Sequence, residues 1–332
     1  MNYLFTSVGR RVELMKDFRA SINKGSRIIA TDLSPYAPAL YLADKQYIVP
    51  RIDDPAYFDV ILDICKKEEV SVITTLIDPE IVLLSQNRTR FSDVRVEVLA
   101  PYEETAEICF DKFKMYQYLE SKGIRTPRTW GTFSDIYLAL RNGVVSLPIF
   151  VKPRTGSGSV GAQKIDNIET LKDVFEQDES LIAQELMTGK GAFDLDADVY
   201  IDTISHEPVS VFAKKKISTT IGGANKTISF KDEKLFSFIE ESLKVFRFNG
   251  PIDADFFYKD GEYYLSEINP RFGGAYLHAY GAGVDFIKLI ENNLKGKANE
   301  KRIGDYEEGI VMMMYDSVIF GKDTNGSLLE TM

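Results

Sequence analysis

Apolar positions along this chain follow two alternating periods. Tyr3 to Ser7 is a short apolar run of strand length, and Val12, Met15, Phe18 and Ile22 then recur at helical spacing through Arg11 to Ser21. Arg27 to Thr31 reads as a second strand, closed by Asp32. Tyr57 to Lys67 reads as a helix with Tyr57, Ile61, Ile64 and Cys65 along one side. Ser71 to Thr75 and Val96 to Ala100 add further strands. This alternation predicts a parallel sheet with flanking helices over residues 1–101, an α/β domain of Rossmann-like build. A long helix is expected from Glu104 to Lys122, stopped by Gly123. From 102 to 308 the pattern is mixed α+β, with Leu235 to Phe246 and Asp285 to Lys295 as the clearest helices. The stretch 309–332 predicts one more strand and a tail, with Met312, Met313 and Met314 as core filling.

The strongest local pattern is Tyr263-Tyr264-Leu265-Ser266-Glu267-Ile268-Asn269-Pro270-Arg271-Phe272-Gly273-Gly274. It reads as a strand ended by proline and glycines. Residues two apart share a strand face, so Glu267 and Asn269 project together, with Arg271 just beyond. The preceding run, Ile252 to Tyr258, carries Asp253 and Asp255. A three-residue loop Lys259-Asp260-Gly261 would pair Asp253 with Glu267 and set Asp255 diagonally on the same face, so that Asp255, Glu267 and Asn269 converge. A two-residue Asp260-Gly261 turn would move Asp255 to the other face. Hard oxygen ligands beside a guanidinium suit a metal-bound phosphate chain; a solvated hairpin is the competing reading.

A net charge of −10 over 332 residues argues against general nucleic-acid binding, which needs a basic face. The start of the chain has neither a basic leader nor a long apolar core, so no signal peptide or membrane span is expected. Cys65 and Cys109 lack metal-ligand spacing and fit reduced thiols in a cytoplasmic protein. His206 and His278 are too few for a histidine metal site. His278 lies near Gly273-Gly274, as a substrate contact or as ordinary packing.

Pro148 to Pro153 forms a strand bearing Lys152, followed by Arg154-Thr155-Gly156-Ser157-Gly158-Ser159-Val160-Gly161. Small residues let backbone amides approach an anion. The formal GxGxxG match does not open a helix, and the first α/β turn offers only Gly9, so neither is a dinucleotide fingerprint. The lysine precedes the glycines, unlike a Walker loop. A hairpin closing over phosphates fits, with a mobile surface loop as the bland alternative. Lys112, after Asp111, is in place either to reach a phosphate or to be solvated. Leu181 to Leu186 reads as an apolar strand ending in Gln184 and Glu185. Asp194, Asp196 and Asp198 alternate on a strand leading to Asp202, and such acids are often a solvated face. At the carboxyl ends of the first strands, Arg10, Arg11, Asp78 and Glu80 are either substrate contacts or capping and inter-domain ion pairs.

Taken in order, Asp111-Lys112, Phe150-Val151-Lys152-Pro153 with its Gly/Ser loop, Gln184-Glu185-Leu186, Asp253 to Phe257 and Ser266 to Arg271 resemble the ATP-grasp enzymes. The likeness extends from about Glu104 to Gly296 and is nearest to one half of the carbamoyl-phosphate synthase large subunit and related stand-alone ligases. It implies a pre-ATP-grasp domain (1–101) and a two-lobed ATP-grasp domain, with a small lobe at about 111–185 and a large lobe at about 186–308. The resemblance implies ATP and magnesium, or manganese, as cofactors. Lys112 and Lys152 would contact phosphates, and Thr155, Gly156, Ser157, Gly158, Ser159 and Gly161 would form the flap. Gln184, Glu185 and Leu186 would flank adenine. Asp194 aligns with a ribose-binding glutamate. Asp255, Glu267 and Asn269 would hold the metal, and Arg271 would steady the transferring phosphoryl group. Lys214 to Lys216 lie where the family often contacts substrate or phosphate, unless they form a solvated basic run.

The implied activity is an ADP-forming carboxylate–amine ligation through an acyl phosphate, with small-molecule substrates. The alternatives are a carbamoyl-phosphate-synthase-like subunit acting on bicarbonate or carbamate, and an ATP-binding regulator without turnover. A second copy or a partner subunit stays open.

Overall fold

The computed structural model describes residues 1–156, 161–220, 223–323 and 328–331. Five strands open the chain: β1 (Asn2–Thr6), β2 (Arg27–Asp32), β3 (Lys45–Ile48), β4 (Val72–Thr75) and β5 (Glu97–Val98). They pair in the order β3-β2-β1-β4-β5, all parallel. Such a sheet must be covered on both faces. Leu4, Ile29 and Ile73 pack with the helices Tyr57–Lys67 and Asp78–Gln86. Tyr3, Phe5, Ile28 and Ala30 face the other way, onto the helix Val12–Ser21. The strand order reverses beside β1, so the loops after β1 and β4 border the crevice expected of a doubly wound sheet.

The expected single helix at 104–122 is two helices, Glu103–Phe110 and Lys112–Ser121. Asp111 breaks them: its backbone is extended, and its carboxylate accepts the N–H groups of Phe113 and Lys114. An aspartate N-cap satisfies donors that a continuous helix would not expose.

A small antiparallel sheet follows, formed by β6 (Thr129–Trp130), β7 (Ile149–Pro153), β8 (Gln163–Ile165) and β9 (Leu181–Glu185) in the order β6-β9-β7-β8. Ile136, Ile149, Val151, Leu171 and Phe175 give it a core of its own. The large sheet contains β10 (Phe193–Ile201), β11 (Pro208–Thr220), β12 (Gly223–Ser229), β13 (Gly250–Lys259), β14 (Glu262–Asn269), β15 (Arg302–Ile303) and β16 (Val311–Met313). Its order is β14-β13-β10-β11-β12-β16, with β15 beside β11. Leu195, Val199, Ala254, Phe256 and Leu265 line its inner face, in the same core as Tyr3, Phe5 and Phe18. The parallel sheet and the large sheet thus share one core, whereas the small sheet is built separately.

The tail supplies the expected strand, β16, on β12. It is not core filling: Met313 is 66% exposed, because an edge strand has cover on one side only. No helix among the described residues is long and apolar enough to cross a membrane.

Candidate active site

The register of the β13–β14 hairpin sets the site, and it differs from expectation. Lys259 pairs with Glu262, leaving a two-residue Asp260-Gly261 loop with φ of +52° and +84°. Two left-handed residues match the twist of the strands they join, and aspartate and glycine tolerate that conformation. This turn alone would set Asp255 opposite Ser266, on the wrong face. A bulge between Asp255 and Phe256 adds one residue to β14, so Asp255 pairs with Glu267 and Asp253 with Asn269. The buried residues record the change of parity: Tyr263 and Leu265 face the core before the bulge, and Ile268 after it. The expected Asp253–Glu267 pair is therefore replaced, yet Asp255, Glu267 and Asn269 share one face.

Two further strands extend this face. On β10, Asp196 lies opposite Asp255 and Asp198 opposite Asp253. On β11, Lys214 lies opposite Asp196. Lys214 is 0% exposed and pairs with Asp196 at 2.5 Å and with Asp198. Lys216 pairs with Asp255. Lys215 points to the opposite side, over the Phe193 and Phe230 rings. A solvated basic run at 214–216 and a solvated acidic face at Asp196 and Asp198 are both excluded. Asp194, on the same strand face, is exposed. Asp202 belongs elsewhere: burial raises its pKa, but hydrogen bonds from Asn293, Ser205 and Asn299 bring it down to about 2.

Crowding the acids together has electrostatic consequences. Burial, then the neighbouring Asp196 and Asp255 carboxylates, push Asp253 well above the usual range. Burial raises Asp198 to about 6, against the pull of Lys214. Burial disfavours the charge of Lys214, but Asp196, Asp198 and Asp253 outweigh it and hold its pKa above normal.

The cations opposite come from the small sheet and the broken helix. Because Asp111 ends one helix and caps the next, Lys112 emerges at the junction. Its Nζ donates to the Gly156 carbonyl and lies 3.6 Å from Glu267 Oε1. Lys152 is buried on β7 and donates to Gln184 Oε1 at 3.1 Å. Burial lowers its pKa, with Glu267 acting in the opposite sense. A small cavity lies beside Lys112, lined by Asp78, Cys109, Lys112, Gly156, Glu267 and Asn269. Thr155 and Gly156 are exposed, and Gly156 and Gly161 adopt φ of +97° and +75°. Ser157, Gly158 and Ser159 lie outside the described residues. The Glu185 carboxylate is bound by Arg128 at 3.0 and 2.7 Å, and the Glu185 N–H donates to the Arg128 carbonyl. Half-buried Leu186 follows directly.

Arg271 is held by Asp78, with Nε 2.7 Å from Oδ1 and Nη2 2.9 Å from Oδ2. Arg11 donates to the Phe272 and Gly273 carbonyls at 2.6 and 2.8 Å. Asp78 follows the inter-domain ion-pair reading, whereas Arg11 is spent on backbone carbonyls and forms no ion pair among the described residues. Glu80 is fully buried among Tyr57, Ser7 and Thr75 hydroxyls, and Arg10 is 88% exposed beside Asp316. His278 is packing: its Nδ1 lies 2.7 Å from Thr227 Oγ1, and its ring meets Phe212. Burial lowers its pKa to about 4. Gly273 was legible only as a strand stop. A Cβ there would lie 2.8 Å from Asp198 Oδ1 and 2.9 Å from Asp253, so only glycine lets the loop lie against the acids.

Comparison with known proteins bears on the family and the fold. Residues 3–99 match the PylC-like N-terminal domain, and residues 109–275, half of the chain, match an ATP-grasp domain. The chain belongs to the ATP-grasp family. Its matched segment holds every acid of the shared face and both lysines opposite. A D-alanine--D-alanine ligase of Campylobacter jejuni (strain 81-176) is 28% identical over 205 residues, 55% of this chain and 56% of the relative. The chain thus spans little more than half the length of such curated relatives. An L-amino acid ligase structure from Bacillus licheniformis superposes with a TM-score of 0.69 at 16% identity, covering 97% of this chain and 82% of that one. The biotin carboxylase domain of Hydrogenobacter thermophilus 2-oxoglutarate carboxylase, complexed with MgADP, ADP and bicarbonate, superposes at 0.73 with 15% identity, covering 93% and 73%. At these identities the two structures establish the ATP-grasp fold alone.

Proposed function

We propose that this chain is an ADP-forming ligase that joins a carboxylate to an amine, using ATP to activate the carboxylate as an acyl phosphate. The observation that carries the reading is that Lys112 shares one small cavity with Glu267 and Asn269, while Asp255 pairs with Glu267 on the adjoining strand and buried Lys152 feels the charge of both carboxylates. The family membership and the ligases among the relatives support it.

The residues fit a divalent metal. The donors are hard oxygens on one face, without thiolate or imidazole, as magnesium or manganese prefers. Among the described residues no three His, Cys, Asp or Glu form a metal cluster, so the set depends on the Asn269 amide as its third donor. Asp255, Glu267 and Asn269 would hold the ion. When bound, it neutralises charge on the phosphates as the terminal group transfers.

The protein's own groups do the rest. Lys112 and Lys152 would bind the phosphate chain, and the burial of Lys152 strengthens its pull on an anion. Thr155, Gly156 and Gly161 would lie over the phosphates and help to exclude water from a hydrolysable acyl phosphate. Gln184, Glu185 and Leu186 would flank adenine, and Asp194 would face the ribose. Arg271 would steady the transferring phosphoryl group. The substrates are small molecules. The free, buried Cys65 and Cys109 fit a reducing cytoplasm.

A coupled assay of ADP release tests this reading, run over pairs of amino acids, bicarbonate and ammonium with magnesium present. ADP should form only with an acceptor pair, and Glu267→Gln should lower the rate by about 100-fold or more. Full activity of that variant would reject the ligand role. Nucleotide binding without acceptor-dependent ADP would mark a regulator instead.

A further inference from the structure

The loop after β14 is gripped from the N-terminal sheet at two points. Asp78 opens a helix just beyond β4, and Arg11 ends the loop after β1, the strand next to β4. The Asp78 carboxylate meets the guanidinium of Arg271 edge-on, accepting one hydrogen bond from Nη2 at 2.9 Å with Nε 2.7 Å from Oδ1, and both side chains are only 12% exposed. Such a two-point contact fixes orientation as well as distance. Arg11 bridges the next two carbonyls, Phe272 and Gly273.

The geometry leaves part of Arg271 free. A guanidinium carries five N–H groups. Nη2 donates one to Asp78, Nε faces the same carboxylate in an ion-pair contact, and Nη1 donates one to the Phe272 carbonyl at 3.0 Å. One N–H on each of Nη1 and Nη2 is left, and Nη1 lies 3.9 Å from Asp253 on the acidic face. Arg11 precedes a helix that shares the core of the large sheet, and Asp78 opens a helix packed on the other face of the parallel sheet; neither core includes the small sheet.

We propose that Asp78 and Arg11 are positioning residues for phosphoryl transfer, locking the 271–273 loop so that the uncommitted N–H groups of Arg271 stand over the carboxylate face. The inference rests on the ligase reading above. An arginine on an unsupported loop would divide its time among many rotamers, and a misplacement of about 1 Å costs on the order of 100-fold in rate.

The test uses Asp78→Asn, which keeps the shape and removes the charge, and Arg11→Lys, which keeps the charge and removes the fork. ADP release at saturating ATP, the KM for ATP and amide hydrogen exchange over 271–275 are measured on the full chain. Each variant should lose about 10- to 100-fold in kcat while the KM for ATP stays within about threefold, and the loop amides should exchange faster. Added to Arg271→Ala, Asp78→Asn should change kcat by less than about twofold, since both act through one group. Wild-type turnover with either variant unchanged in kcat or in exchange refutes the clamp alone. No ADP release from the wild-type chain with any substrate refutes the ligase reading, and this role with it.

Discussion

Replacing Gly273 by alanine probes the packing of the site most directly. The new Cβ would lie 2.8 Å from Asp198 Oδ1 and 2.9 Å from Asp253 Cγ and Oδ1. Ordinary contact begins near 3.4 Å, so about half an ångström must be found. The carboxylates cannot retreat, because Asp198 is tied to fully buried Lys214 and both acids stand on paired central strands. The glycine has no positive φ, so the penalty is steric and not conformational. Overpacking of this kind costs about 1–3 kcal/mol. At about 2–4 °C per kcal/mol, the melting temperature should fall by about 2–12 °C. The loop must shift instead, and Arg271 with it, so ADP release should drop by about 100-fold. Gly281→Ala is the control: its Cβ would meet nothing within 4 Å. Calorimetry and the coupled assay, run on both variants, decide the matter. A Gly273→Ala protein that melts within 1 °C of wild type and keeps its turnover would refute the reasoning.

Other outcomes follow from the buried charges. Lys214→Met should destabilise by about 3–5 kcal/mol, since Asp196 and Asp198 would keep buried charge without a partner; urea unfolding within about 1 kcal/mol of wild type would exclude this. His278 titrates at about 4 in the fold against 6.5 in the open chain, so the unfolded state binds more protons between those values. Its contribution is intact above pH 6.5 and lost progressively as pH falls toward 4, by about 3 kcal/mol in all. His278→Gln should therefore flatten the stability profile between pH 4 and 6.5, and an unchanged slope would show that the ring is not kept neutral. Asp198 acts oppositely. Its raised pKa of about 6 favours the folded state at low pH, and that advantage disappears as pH rises from about 4 to 6. Asp198→Asn should remove this opposing slope, measured by the same unfolding series.

Much of the site was legible because its elements are local. The strand Leu181–Glu185, the helix Tyr57–Lys67 and the lysine at 152 follow from apolar period and turn residues alone. The β13–β14 register was harder. The Asp260-Gly261 pair signals a two-residue turn, and the bulge shows in the sequence only as Leu265 and Ile268 standing three apart where a strand alternates by two. Reading both together would have given the observed pairing. The broken helix at Asp111 was missed because the apolar pattern runs through it, while the cap depends on a single side chain.

The sequence by itself determined the alternation of elements, the acids on β13 and β14, and the lysines available to face them. These depend on periods of two and 3.6 residues, which are properties of the local backbone. Only the tertiary structure decided that Asp196, Asp198 and Lys214 join the same face, that Asp78 holds Arg271, and that Gly273 must be small. Those contacts join residues up to 193 positions apart, and their geometry comes from strand order and a shared core, which no local pattern encodes.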